Sequence, residues 1–197
     1  MNVNDFSSKL IGGGVRPHLF EVNGSIGGQA TTDNLLPFLV KAAQLPASTV
    51  GMIEVPYRGR KIKVPGERTF AERTITIVAD GNFELRDAFE SWMNNINSHA
   101  GNTTVGTHRP GAGNPIYSDW EINQLDRNGD VIKAYKMMHC FPTEVSAMDV
   151  GFETTDSIHE FTVTLQYSYW TALGKKSSFG TDVTDGDRPS GSKFTSN

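Results

Sequence analysis

Hydrophobic residues recur along this chain mainly at every second position, a spacing that predicts a strand-dominated fold. The pattern is clear in residues 74–79, where Thr74 and Thr76 alternate with Ile75 and Ile77, as in a half-buried strand. It recurs through Phe161, Val163, Leu165, Tyr167 and Tyr169 to Trp170, which read together as one closing strand. Residues 116–125 and 131–140 form a predicted hairpin about Asp126-Arg127-Asn128-Gly129-Asp130, because Asn-Gly adopts positive φ at little steric cost. Phe141-Pro142-Thr143 is expected to bend the chain into a further strand pair. Near the start, residues 18–22 (HLFEV) read as a short strand with Leu19 and Glu21 on one face. The apolar run LLPFLVKAAQL stops at the breaker Leu45-Pro46-Ala47.

One segment departs from period two. Leu85, Ala88, Phe89, Trp92, Met93 and Ile96 fall at the spacing of a single helical face. They predict a helix over residues 83–98, about 24 Å long at 1.5 Å per residue. Asp80 or Asn82 can cap its start. The apolar stripe should pack on the sheet and leave Glu84, Arg86, Asp87 and Glu90 toward water. A loop rich in Asn, Gly and Pro follows, over residues 97–115.

The stretch EVPYRGRKIKVPGERTF, residues 54–70, is a second kind of pattern. Val55 and Tyr57, then Ile62 and Val64, repeat at period two on either side of Arg58-Gly59-Arg60, which reads as a turn. Pro56 and Pro65 guard the flanks. Basic residues alternate with the apolar ones, and no catalytic group stands among them. A ribbon of this kind suits an arm laid on a neighbouring subunit better than the wall of a pocket. Its candidate contact residues are Met52, Ile53, Val55, Tyr57, Arg58, Arg60, Lys61, Ile62, Lys63, Val64 and Arg68.

Composition narrows the function classes. A chain of 197 residues is most simply one domain with a real core. The organisation read here is an N-terminal arm over 1–15, a β domain over 16–170 and a Gly/Ser/Thr-rich extension over 171–197. The formal net charge of -4 argues against a protein that grips nucleic acid, since that affinity comes largely from neutralising phosphates. No apolar run is long enough for a membrane helix, and the first residues do not form a convincing secretory signal. The single cysteine excludes an internal disulfide and a cysteine-rich zinc site.

Candidate chemistry is sparse. The Asp126–Asp130 turn lacks the glycine and glutamate positions of a calcium loop. His139 and Cys140 are adjacent on a predicted strand, so they point to opposite faces and cannot form a nucleophile–base pair; Cys140 reads as a small core residue. His18, His99, His108 and His159 have no metal-ligand spacing and read as surface or interface residues. Asn102-Thr103-Thr104 is a glycosylation sequon without a secretory context, and Gly12-Gly13-Gly14 lacks the flanks of a phosphate loop. Phe89 and Trp92 read as core, not as pocket lining. Arg58, Arg60, Lys61, Lys63 and Arg68 are the one feature favouring nucleic acid, but Tyr57 is the only ring in that basic run and Glu54, Glu67 and Glu72 are interspersed. A protein interface explains them better. No cofactor, no metal and no enzymatic activity are expected.

The order of segments resembles the tail tube proteins of T-even-type contractile-tailed bacteriophages. The resemblance is carried by residues 16–22 (RPHLFEV), 45–48 (LPAS), 58–70 (RGRKIKVPGERTF), 86–92 (RDAFESW), 141–143 (FPT) and 161–167 (FTVTLQY) with Tyr169-Trp170. It implies a mainly β fold: an antiparallel β-sandwich or partial barrel with one flanking helix and a long arm hairpin. Six copies would close a hexameric ring with a continuous inner β-barrel, and rings would stack into a tube. Arm contacts between subunits and rings are implied for residues 50–68. Implied partners are further copies of the chain, a tail sheath, baseplate proteins and a tape-measure protein, with double-stranded DNA passing through unbound. The implied location is the virion tail, after synthesis in the bacterial host cytoplasm. The related alternatives are the inner tube of a protein-delivering contractile injection system and a baseplate tube initiator. A nucleic-acid-binding module using the basic hairpin is more remote.

Overall fold

A computed structural model describes residues 2–9, 14–27, 34–106, 115–153 and 156–173. Within these, an exposed helix α1 (Val3–Lys9) precedes strand β1 (Phe20–Gly24). A one-turn helix α2 (Leu36–Leu39) runs directly into β2 (Val40–Ala43). The arm is β3 (Ser48–Tyr57) and β4 (Arg60–Phe70), followed by β5 (Arg73–Val78) and helix α3 (Glu84–Ile96). The chain then forms β6 (Ser118–Leu125), β7 (Val131–Val145), β8 (Glu160–Gln166) and β9 (Tyr169–Leu173). The fold is mainly antiparallel β. It has α1 and α2 in addition to the one helix expected, and α1 lies inside the segment read as an arm. Residues 171–173, read as the start of the extension, complete β9; residues 174–197 lie outside the described residues, as does Gly12-Gly13.

The strands outside the arm form one sheet in the order β1-β6-β7-β8-β5-β2, with β9 also on β7. The first half of β7 pairs with β6 and β9, and its second half pairs with β8. The change of partner occurs at a bulge, where Met138 and His139 stand opposite Asp119 alone. His139 takes φ +56 there, and its N–H donates to Asp119 Oδ1 at 3.2 Å. A bulge bends a strand and sharpens its twist. Residues 141–143 therefore continue β7 without a break, and from Phe141 onward the strand pairs with β8, as the expected further strand pair; the bend lies just before them. The closing strand also differs from expectation. It breaks after β8, Ser168 N–H donates to Met138 O at 3.0 Å, and β9 starts afresh with Tyr169 exposed.

The two halves of the sheet and α3 enclose one core. Val22, Trp120, Ile122 and Met137 come from one half, Ile75, Ile77, Phe161, Val163 and Leu165 from the other. The inward face of β1 carries Phe20 and Val22, with Val22 opposite the buried Ile122, and Leu19 precedes the strand. From α3, Leu85, Ala88, Phe89 and Trp92 are buried, Ile96 packs at the margin, and Met93 is half-buried. Full burial of each large side chain contributes about 1.5–3 kcal/mol. Trp92 Nε1–H donates to Ile116 O at 3.0 Å, tying the helix to the chain entering β6. Asp80 Oδ2 accepts from the Glu84 N–H at 3.2 Å, satisfying one free donor of the first turn. Arg86 does not point into water. Its guanidinium lies 5.7 Å from the Phe161 ring, donates to Ser146 O at 3.2 Å and pairs with Glu90 at 2.8 Å.

The edge of the sheet requires a residue without a side chain. Gly24 stands opposite Trp120, and a Cβ there would lie 2.4 Å from the indole ring. Trp120 is fully buried and cannot retreat. Gly24→Ala should therefore lower stability by about 1–3 kcal/mol through overpacking. Gly81→Ala, in open space, should change it little; thermal unfolding of the two variants side by side checks this.

Candidate assembly interface

The arm is a two-stranded ribbon built from strands of 10 and 11 residues, or about 33 Å at 3.3 Å per residue. It begins at Ser48, six positions before the stretch singled out from sequence. Tyr57 pairs with Arg60, so the turn is the two residues Arg58 and Gly59, at φ +43 and +83. Two consecutive positive φ values match the twist of a hairpin, and Gly59 accepts its share without strain. Arg60 is therefore the first residue of β4. Pro56 and Pro65 sit within the strands, opposite Lys61 and Met52, where each withholds an N–H from an unprotected edge.

Register separates the two faces. Val55 lies opposite Ile62 and Ile53 opposite Val64, which places Ile53, Val55, Tyr57, Ile62 and Val64 with Arg60 on one face. The other face carries Met52, Glu54, Pro56, Lys61, Lys63 and Pro65. Lys61 Nζ lies 2.6 Å from Glu54 Oε2 across it, and Arg58 leans over the Tyr57 ring at 5.6 Å. Near the body, Gly51 faces Gly66 and Glu67 at a bulge, beyond which Val50 pairs with Arg68. The structure thus brings Ile53, Val55, Tyr57, Ile62 and Val64 of the predicted contact set together at one surface. Met52, Lys61 and Lys63 lie on the reverse, and Arg68 lies past the bulge.

This surface is unburied. Every residue of β3 is exposed, as is every residue of β4 except Gly66 and Phe70. Val55 is 46% and Tyr57 60% exposed. An isolated two-stranded ribbon is at best marginal in water. The arm is held at its root, where Phe70 packs 6.1 Å from Tyr167. Tyr167 Oη–H and Trp170 Nε1–H both donate to Ala47 O at 3.4 Å.

Beneath that root lies a residue that sequence reading passed over. Arg73 is 2% exposed and shares the inward face of β5 with Ile75 and Ile77. Nη1–H donates to Met137 Sδ at 3.1 Å, while Nε and Nη2 have no hydrogen-bond partner among the described residues. Burial pulls its pKa down to about 10, partly offset by Cys140 and Tyr167. The only sequence signal was its position, two residues before Ile75 in a strand whose alternate side chains point inward. Burial also raises the Tyr167 hydroxyl and pushes the Cys140 thiol up to about 12, although Arg73 opposes both shifts.

The remaining candidates are bland. Cys140 is buried, whereas His139 is half-buried with its ring edge-on to Tyr117 and Tyr169. Gly129, at φ +86, carries the β6–β7 turn, where Asp126 N–H donates to Asp130 O at 2.8 Å. His18, His99 and His159 are exposed, while His108 and part of the 97–115 loop lie outside the described residues. Among the described residues no group of three metal-ligand side chains comes together, and no helix is long and apolar enough to cross a membrane.

Comparison with known proteins agrees with this architecture. Residues 3–173 match the family model described as phage tail tube protein. The chain is 32% identical over 156 residues to the tail tube protein gp19 of Enterobacteria phage T4, covering 79% of this chain and 90% of that protein. It is 27% identical over 172 residues to the tail tube protein of Serratia phage KSP90, covering 84% and 93%. The fold is also similar to a chain in the sheath–tube complex of an extracellular contractile injection system (PVC, extended state), with TM-score 0.56, 17% identity and coverage of 85% and 97%. A chain in the tube-terminating cap of the anti-feeding prophage gives TM-score 0.59 at 17% identity, covering 82% and 91%.

The buried thiol has a direct chemical consequence. A thiol with a folded-state pKa of about 12 is almost wholly protonated at pH 8, and the thiolate is the nucleophile. Because its ordinary value is 9.0, the folded state holds this proton more tightly, and its contribution to stability is lost as pH rises from about 9 to about 12. Cys140 should resist a maleimide or a disulfide reagent at pH 8 and react fully once the chain is unfolded in denaturant. Rapid labelling of the native chain would contradict this burial.

Proposed function

The chain belongs to the phage tail tube protein family, and from that membership we propose that six copies close a ring and that rings stack into a hollow tail tube. The observation that supports assembly most directly is the arm: a 21-residue pair of strands with an apolar face and no cover among the described residues. Such a surface needs a partner, and a second copy is the simplest one. The sheet is open between β1 and β2. Joining sheets around a ring would satisfy exposed strand edges that invite aggregation in a lone subunit. Stacking through unlike surfaces generates an open filament.

The tube is a conduit for double-stranded DNA. A conduit must release its cargo, and every phosphate contact would slow release. An overall charge of -4 suits that requirement. The subunit acts by geometry, without catalysis or a cofactor, in the virion tail, having been made in the host cytoplasm. A contractile sheath around it, a baseplate beneath it and a tape-measure protein within it complete the expected set of partners. Contractile injection systems share the fold at 17% identity, whereas kinship in sequence runs to phage tail tubes.

Negative-stain electron microscopy of the purified chain at rising concentration should show hollow tubes or six-fold rings. Monomers at every concentration that bind DNA in a salt-dependent way would overturn the tube in favour of a nucleic-acid module. Within the tube reading, Arg58→Glu with Arg60→Glu should leave a folded monomer with unchanged thermal unfolding that no longer makes tubes. Tubes in normal yield from that double variant would remove the arm from the interface.

A further inference from the structure

Among the described residues, a second uncovered surface lies in the connection between β7 and β8, at residues 146–153 and 156–159. Val150, Phe152 and Ile158 are all exposed there, Phe152 fully at 105%. Three exposed acids, Asp149, Glu153 and Asp156, alternate with them, and the segment contains no lysine or arginine. The loop is anchored at its base. Ser146 N–H donates to Thr162 O at 2.8 Å, Thr162 N–H donates to Ser146 Oγ at 2.9 Å, and Arg86 holds Ser146 O. Large apolar side chains presented from a fixed base, rimmed by charge, are the composition of a docking surface.

Its position identifies what can occupy it. Strand β5 begins at Arg73, opposite Leu165 near the end of β8, and finishes at Val78, opposite Glu160 at the start of β8. The arm joins β5 at its Arg73 end, and the 146–159 loop joins β8 at the Glu160 end. Arm and loop therefore leave opposite ends of the same two strands. Two copies arranged head to tail bring the arm of one toward the loop of the next.

We propose that the arm tip of one copy docks on the β7–β8 loop of a second copy in the adjoining ring. This rests on the tube reading above and adds the acceptor to it. Val55, Tyr57 and Ile62 meet Val150, Phe152 and Ile158, and Arg58 and Arg60 face Asp149, Glu153 and Asp156. The two surfaces are complementary in both respects, apolar against apolar and basic against acidic. Neither can be closed by a second copy of itself without setting like charges together, which favours the unlike pairing. Tyrosine and arginine are also the residues that most often dominate such contacts.

A charge exchange tests this. The loop variant Asp149→Lys with Glu153→Lys should unfold thermally like the parent but raise the concentration needed for tubes by about tenfold or more, a change worth about 1.4 kcal/mol per decade. Placing Arg58→Glu and Arg60→Glu in the same chain as the loop changes should restore tubes at close to the parent concentration. A Tyr57→Cys, Phe152→Cys chain, oxidised after assembly, should give covalent ladders on denaturing gels. Parent tubes with a loop variant that assembles equally well, or an exchanged chain that stays unassembled, overturn the docking alone. A parent chain that forms neither tubes nor rings overturns the tube reading and the docking together.

Discussion

One strand serves both halves of the sheet. The first half of β7 is flanked by β6 and β9, and its second half by β8, so the core exists only if β7 turns between the two. The bulge at His139 provides the turn, with Asp119 receiving the N–H that the ladder no longer uses. A non-glycine residue at positive φ is a local cost that the surrounding pairing must hold in place. The cost is borne here because the bend lets Trp120 and Met137 meet Phe161, Val163 and Leu165 over α3.

The body and the arm obey different rules. In the body, stability comes from apolar burial around Trp92, Trp120 and Phe89, with polar outer faces. In the arm, an equally ordered register of apolar pairs is left in solvent. The Arg58-Gly59 turn sets the two strands in their final pairing before any partner arrives. Ordering entropy that a disordered segment would lose on association is then already spent in the monomer. The root is held by Phe70, Tyr167 and Trp170, so the orientation of the arm is set by the same strands that carry the core.

Much of this was legible in the sequence wherever the signal was local. Thr74 through Ile77, the α3 stripe and the hairpin about Gly129 depend on near neighbours, and the structure has them. Non-local pairing hid the rest. Alternation gives two faces but does not say which is inward; Val22 points to the core because Ile122 stands beside it, while Leu19 only looked equivalent. Bulges erase alternation where they occur, so β7 read as two pieces, and the Gly51 bulge hid the start of β3 at Ser48 from the alternation. The break at Ser168 was invisible because Tyr169 keeps the period of Tyr167 while leaving the sheet's interior. Arg73 was missed because a charged residue at the head of a strand ordinarily faces water, and only packing beneath the arm root removes it. For the assembly surface, the residue types of the arm were readable, but the division of its faces required the cross-strand register.

The arm and the 146–159 loop depart from opposite ends of β5 and β8, and this gives any linear stack a polarity. In a stack docked as proposed above, one terminus displays unengaged hairpins and the other displays bare loops. The two termini are chemically unlike: one basic and reaching outward, the other acidic and short. A factor that starts such a stack and a factor that stops it need not compete, because each meets a surface the other never sees.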